Sequence, residues 1–207
     1  MSPSDDLDIQ HAVELLRQGR LVAYPTDTLY GLGAHAFIEE AVERVYEVKG
    51  REEDKPMPLL LGSIEDLRLV AEKIPEMAVA LATRFWPGAL TLVLYSLPSV
   101  PTKVTGGGNT VAVRVPNHPV PRELVRRLGA PITGTSANRS GGPSPVTAGD
   151  VREQLANLVD LIIDGGTCPS SQPSTVVDVA GDRPVLVREG VVSREEVEEV
   201  CGVSVRD

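Results

Sequence analysis

Two sets of polar residues stand far apart in the chain, and their types suit the same chemistry. Lys49-Gly50-Arg51 runs ahead of Asp54-Lys55-Pro56, and Gly134-Thr135-Ser136-Ala137-Asn138 leads into Ser140-Gly141-Gly142-Pro143-Ser144-Pro145. The first concentrates positive charge where a helix ends. The second offers hydroxyls, an amide and free backbone N–H groups in a glycine-rich turn after an apolar strand. Together they suit two walls of an anion site. Thr26, Thr28, Thr110, Arg114, Ser174 and Arg188 lie on other polar breaks beside apolar runs. A nucleoside triphosphate is matched by Lys, Arg and backbone donors, and arginine adds a planar fork for a phosphate or carboxylate. Hydroxyls and an Asn amide fit a small amino acid, so the whole set reads as an anion site with room for a polar second ligand. Taken singly, cations at a helix end answer the helix dipole and Ser or Asn in Gly/Pro-rich loops serve the turn.

The sequence disfavours other chemistries residue by residue. His11, His35 and His118 are scattered and form no Ser-His-Asp or metal pattern, and Cys168 and Cys201 lack Cys-x-x-Cys spacing. Gly-x-x-x-x-Gly-Lys-Ser/Thr is absent. Gly31-Leu32-Gly33-Ala34-His35-Ala36 matches a relaxed dinucleotide pattern, but Pro25-Thr26-Asp27-Thr28 interrupts the strand that should run into it, which argues against an NAD site. A formal net charge of -9 and 3% aromatic residues disfavour a protein whose main work is coating nucleic acid. The first residues lack a signal-peptide pattern and no apolar run reaches a membrane span, so a soluble cytoplasmic protein is expected.

The elements that must position these residues follow from periodicity. With 207 residues, 42% of them hydrophobic, the chain can build one large core, and no repeat or linker divides it, so residues 1–207 are expected to form a single domain. Helix spacing predicts helices over 8–18, 39–49, 76–85 and 120–128, stopped by Gly19, Gly50, the Trp86-Pro87-Gly88 break and Gly129. Ser63 with Asp66, Thr147 with Asp150, and Ser193 with Glu196 each mark a helix start. Strands are expected at 21–24, 29–33, 58–62, 90–95, 110–115, around Ile132, and over 158–164, 175–179 and 185–187. Thr105-Gly106-Gly107-Gly108-Asn109 reads as a flexible turn. The alternation implies an α/β fold with a twisted, mixed open sheet, flanking helices and a ligand site at the strand ends.

Tyr24-Pro25-Thr26-Asp27-Thr28-Leu29-Tyr30-Gly31-Leu32-Gly33, Lys49-x-Arg51, Trp86-Pro87-Gly88 with Leu90-Thr91, Val113-Arg114-Val115-Pro116, Ser136-x-Asn138 and Ser174-Thr175-Val176-Val177-Asp178 occur in this order. The series resembles the YrdC-type threonylcarbamoyl-AMP synthase family from about Gly19 to Val191. The resemblance implies a YrdC-like fold with a large cavity. It also implies an enzyme that joins L-threonine, bicarbonate or CO2, and ATP into threonylcarbamoyl-AMP and pyrophosphate, for N6-threonylcarbamoyladenosine in tRNA.

Carried onto this sequence, the resemblance assigns Thr26, Thr28, Arg114 and Ser174 to threonine, and Lys49, Arg51, Thr110, Ser136, Asn138, Ser144 and Arg188 to ATP. Lys49, Arg51, Ser136 and Asn138 form its polar tetrad and the expected catalytic group; Lys55 joins the ATP set on charge alone. Mg2+ is expected with ATP, with no protein ligand assigned. An enzyme that transfers the threonylcarbamoyl group to tRNA would accept the product, with at most weak direct tRNA contact and no membrane association. This sequence departs from the family at Glu52-Glu53, where many members have Pro, and lacks a His that some carry near Leu59–Ser63. It resembles the short form without a further C-terminal domain. Two alternatives remain at this stage: a carbamoyl-AMP-forming domain of hydrogenase-maturation type, and a non-catalytic RNA-binding or ribosome-assembly module.

Overall fold

The computed structural model describes residues 3–170 and 172–206. Among these the order is α1 (Pro3–Arg17), β1 (Val22–Tyr24), β2 (Gly31–Gly33), α2 (Glu39–Lys49), β3 (Leu59–Leu60), α3 (Glu76–Phe85), β4 (Leu90–Tyr95), α4 (Thr102–Thr105) and β5 (Thr110–Arg114). There follow α5 (Pro119–Leu128), β6 (Ile132–Thr133), β7 (Thr135–Ser136), α6 (Ala148–Leu155), β8 (Leu161–Ile162), β9 (Thr175–Asp178), β10 (Val185–Arg188) and α7 (Arg194–Cys201). The expected mixed sheet is divided into two, in the orders β7-β2-β1-β8 and β10-β9-β4-β5-β3-β6. The chain just after β2 joins them, because His35 bridges Ile132 and Ala34 accepts from the Thr133 N–H.

Strand alternation decides what each face of the six-stranded sheet does. Leu90, Leu92 and Leu94 of β4, Val111 and Val113 of β5, and Val177 of β9 turn into the main core. The residues between them, Thr91, Val93, Ala112, Arg114 and Val176, turn to the opposite face and line a cavity. Burying a Leu side chain contributes about 1.5–3 kcal/mol, so the core face anchors the sheet while the other stays free for a ligand. Pairing sets the height of each polar residue: Leu60 of β3 lies opposite Arg114 and opposite Ile132, which brings the Arg114 end of β5 beside the strand leading to Ser136.

Gly31 and Gly33 pack against an aromatic ring, which explains the false dinucleotide pattern. A Cβ on Gly31 would lie 2.5 Å from the Tyr24 ring and one on Gly33 2.6 Å from it, and the Tyr24 hydroxyl donates to the Thr133 carbonyl. The glycines therefore allow β2 to cross a buried tyrosine. The capping boxes at Ser63–Asp66 and Ser193–Glu196 form as expected, though the first opens a 3-10 turn over Ile64–Leu69. The 158–164 stretch holds only β8, preceded by a short 3-10 turn, and the expected Gly106 loop is preceded by α4. No helix among the described residues is long and apolar enough to cross a membrane.

Candidate active site

One cavity opens over the free face of the six-stranded sheet, and a second adjoins it between the end of α2 and the loop after β7. The larger, about 320 Å³, has Val93, Ala112, Val176 and Val187 beneath it and Thr26, Thr28, Arg114, Ser174 and Arg188 around it. The smaller, about 230 Å³, is bounded by Lys49, Arg51, Glu52, Lys55, Ser136, Asn138 and Ser140. Arg51 and Ser136 line both, so the cavities adjoin at these two side chains.

At the larger cavity the Arg114 guanidinium is held on three sides. Nε donates to the Gly88 carbonyl at 2.7 Å, NH1 to Thr28 Oγ1 at 2.9 Å and NH2 to Asp27 Oδ1 at 2.6 Å. Of five N–H donors this leaves two for a ligand. Burial disfavours the charge on Arg114 and Asp27 supports it, so the acid is what lets a cation sit here at 6% exposure. The Trp86-Pro87-Gly88 break at the end of α3 supplies the third clamp.

Proton counting separates the two threonines. Thr26 Oγ1 accepts from the N–H groups of Thr28 and Leu29 and donates its own proton to the Leu29 carbonyl. Its hydroxyl is committed to the turn. Thr28 Oγ1 accepts from Arg114, so its proton is left to donate, to Thr26 at 3.1 Å or to a ligand. Across the cavity Ser174 Oγ meets Thr91 Oγ1 at 2.8 Å, and Arg188 donates to the Ser174 carbonyl at 2.8 Å. Burial and the like charge of Arg114 both work against the Arg188 cation, so an anion between the two arginines would be favoured.

At the smaller cavity Lys49, at the end of α2, is spent on the glycine-rich loop. Its ammonium donates to the carbonyls of Ser136 and Asn138 at 2.5 and 2.7 Å and to Asn138 Oδ1 at 3.1 Å. Burial, then the Arg51 charge, bring its pKa down to about 7. Asn138 is spent as well: Oδ1 also accepts from Ser136 Oγ at 2.6 Å, and Nδ2 donates to the carbonyls of Gly142 and Pro143. Arg51 differs. One of its nitrogens reaches the Pro56 carbonyl at 3.0 Å, while its buried Nε has no partner among the described residues. Lys55 is half-exposed and paired with Glu52 at 2.8 Å.

The sequence-predicted residues thus fall into three groups. Thr26, Thr28, Arg51, Arg114, Ser136, Ser174 and Arg188 meet at the larger cavity, and Lys49, Lys55 and Asn138 join Arg51 and Ser136 at the smaller. Thr110 and Ser144 line neither. Thr110 shares a face with Arg114 but begins β5, roughly 13 Å away at strand rise, and Ser144 is exposed on its loop. Asp27, Thr91 and Tyr30 were missed. An acid between two threonines reads as turn chemistry, and Thr91 reads as strand interior. Among the described residues no group of three or more His, Cys, Asp or Glu could hold a metal; Asp27 is taken by Arg114 and Glu52 by Lys55. The donor set does not fit a resident metal ion.

The family described as telomere recombination, Sua5/YciO/YrdC, matches residues 14–190. The chain belongs to the Sua5/YciO/YrdC family. The threonylcarbamoyl-AMP synthase of Pyrococcus abyssi is 46% identical over 198 residues, which cover 96% of this chain and 58% of that protein. The putative threonylcarbamoyl-AMP synthase of Mycobacterium tuberculosis H37Rv is 42% identical, with 94% and 89% covered. This family member therefore spans 58% of the length of its relatives from P. abyssi and Bacillus subtilis. The crystal structure of P. abyssi Sua5 complexed with L-threonine matches it with a TM-score of 0.93 at 46% identity, over 96% of this chain and 58% of that one. E. coli YciO matches with 0.84 at 30% identity, over 95% of each. Full-length HypF, at 18% identity, a TM-score of 0.78 and with 88% and 29% covered, shares the fold alone.

Proposed function

We propose that this chain, acting as one catalytic unit over residues 1–207, is a threonylcarbamoyl-AMP synthase that forms threonylcarbamoyl-AMP and pyrophosphate from L-threonine, bicarbonate or CO2, and ATP. The observation that carries this reading is the junction of a hydroxyl- and arginine-lined cavity with a cation-lined one at Arg51 and Ser136. The two free donors of Arg114 would take the threonine carboxylate, with the Thr28 hydroxyl beside them. The polyphosphate would lie along Arg51, Lys49, Lys55 and the Ser136–Asn138 loop, with the α-phosphate near Arg51. The threonine amine adds to CO2 with loss of a proton, or to bicarbonate with loss of water, to give a carbamate; a carbamate oxygen then bonds to the α-phosphorus as the bond to pyrophosphate breaks. Positioning and charge neutralisation do most of this work. Mg2+ would enter with ATP as part of the substrate. The adenylate would pass, in the cytoplasm, to an enzyme that transfers its threonylcarbamoyl group to tRNA; a formal charge of -9 leaves little scope for strong tRNA binding by this chain.

Purified protein given ATP, Mg2+, bicarbonate and L-threonine should release pyrophosphate, and omission of threonine or bicarbonate should stop it. Release indifferent to threonine would overturn the reading.

Lys49 gives a second expected result. With a pKa of about 7 in the free protein, the amine is mostly neutral at pH 8 and mostly charged at pH 6, and an adjacent polyphosphate favours the charged form. ATP binding should therefore take up more proton through this group at pH 8 than at pH 6. Calorimetry in buffers of different ionisation enthalpy reads the uptake. Lys49→Met should lack it; equal uptake by the variant would place the proton elsewhere.

A further inference from the structure

The segment from Arg51 to Pro56 brings Arg51, Lys55 and Pro56 to the two cavities, and it is held from behind at one buried point. Tyr46 projects from α2 with 3% exposure, and its hydroxyl lies 2.8 Å from the Lys55 carbonyl and 2.7 Å from the Lys103 carbonyl. One oxygen of the site loop and one of α4 thus converge on a single hydroxyl. Around it the Met57 N–H donates to the Val104 carbonyl at 2.8 Å. Gly106 has φ +61°, and a Cβ there would lie 2.5 Å from the Asp54 carbonyl oxygen and 2.9 Å from the Pro56 nitrogen. Outside, Lys103 pairs with Glu53 at 2.5 Å and Glu43 at 3.3 Å. Glu53 thereby ties the loop to α4. Exposed ion pairs of this kind contribute little, whereas the part-buried hydroxyl has one proton shared between two carbonyls, and losing it leaves both without that donor. The hydroxyl therefore dominates.

We propose that Tyr46 is a positioning residue for the nucleotide, fixing the 51–56 loop against α4 so that Arg51 and Lys55 face the phosphates. Tyr46 touches neither cavity and acts only through the loop. Arg51 leans on the loop's own Pro56 carbonyl, so a displaced loop carries the guanidinium with it. The proposal rests on the reading that the polyphosphate of ATP lies along the smaller cavity.

Tyr46→Phe removes the hydroxyl and keeps the ring. Calorimetric binding of ATP should weaken about five- to tenfold, the worth of an ordinary hydrogen bond, while the KM for threonine moves less than about twofold. Gly106→Ala, which crowds the Asp54 carbonyl, should weaken ATP binding in the same selective way. Lys103→Met should change it less than about twofold. Unaltered ATP affinity in folded Tyr46→Phe, or parallel loss of ATP and threonine affinity in both variants, would overturn the proposal. Wild-type protein that binds ATP but shows no threonine-dependent pyrophosphate release would refute the synthase reading and leave Tyr46 testable by binding. Wild-type protein that does not bind ATP would refute both.

Discussion

Arg51→Ala lowers kcat by roughly 10- to 1000-fold, the range that one preorganised charge-stabilising donor supplies. The expectation follows from what the side chain has left to give. Lys49 spends its donors on Ser136 and Asn138, Asn138 spends its amide on the Gly142 and Pro143 carbonyls, and Lys55 is exposed and paired with Glu52. Arg51 keeps a buried Nε without a partner among the described residues and lines both cavities. It is therefore the group best placed to meet charge as it moves from the carbamate to the α-phosphate and onto pyrophosphate. Steady-state pyrophosphate release at saturating substrates reads the effect. Arg51→Lys should recover part of the rate, since it keeps the charge and loses the planar fork. A folded Arg51→Ala enzyme with normal kcat and raised ATP KM would mean that Arg51 holds ground state and transition state equally.

Asp27→Ala destabilises the fold by about 3–5 kcal/mol, because it strands a buried cation. Arg114 is 6% exposed, and Asp27 is its ion-pair partner among the described residues. Asp27→Asn keeps an oxygen acceptor and should cost less. Urea denaturation of the single variants and of Asp27→Ala with Arg114→Met separates loss of a contact from a stranded charge: the double variant should be more stable than Asp27→Ala alone. In the enzyme the same substitution should raise the threonine KM and spare that for ATP. A double variant no more stable than Asp27→Ala would show that the loss does not come through Arg114.

Local signals were read well from sequence because they act over a turn or less. Gly50 and Gly129 end α2 and α5 in the left-handed conformation, and Ser193 with Glu196 closes its capping box. The two-residue strands β3, β6 and β7 are set by partners far away in sequence, so neither their short extent nor the division into two sheets shows in periodicity. α4 is a single turn without apolar spacing. At the site, residue types sufficed to gather Lys49, Arg51, Ser136 and Asn138, because concentrated cations and a glycine-rich turn have few other joint uses. They could not show that Thr26, Lys49 and Asn138 are already satisfied, nor that Asp27 finds its partner 87 positions later. Satisfaction of donors depends on distances between segments, which residue order alone does not carry.

The most direct test of the synthase reading follows the carbon. Protein incubated with ATP, Mg2+, L-threonine and carbon-13 bicarbonate should yield threonylcarbamoyl-AMP whose mass spectrum is heavier by one carbon-13, together with pyrophosphate. An adenylate without the label, or pyrophosphate released with no threonylcarbamoyl-AMP formed, would contradict it.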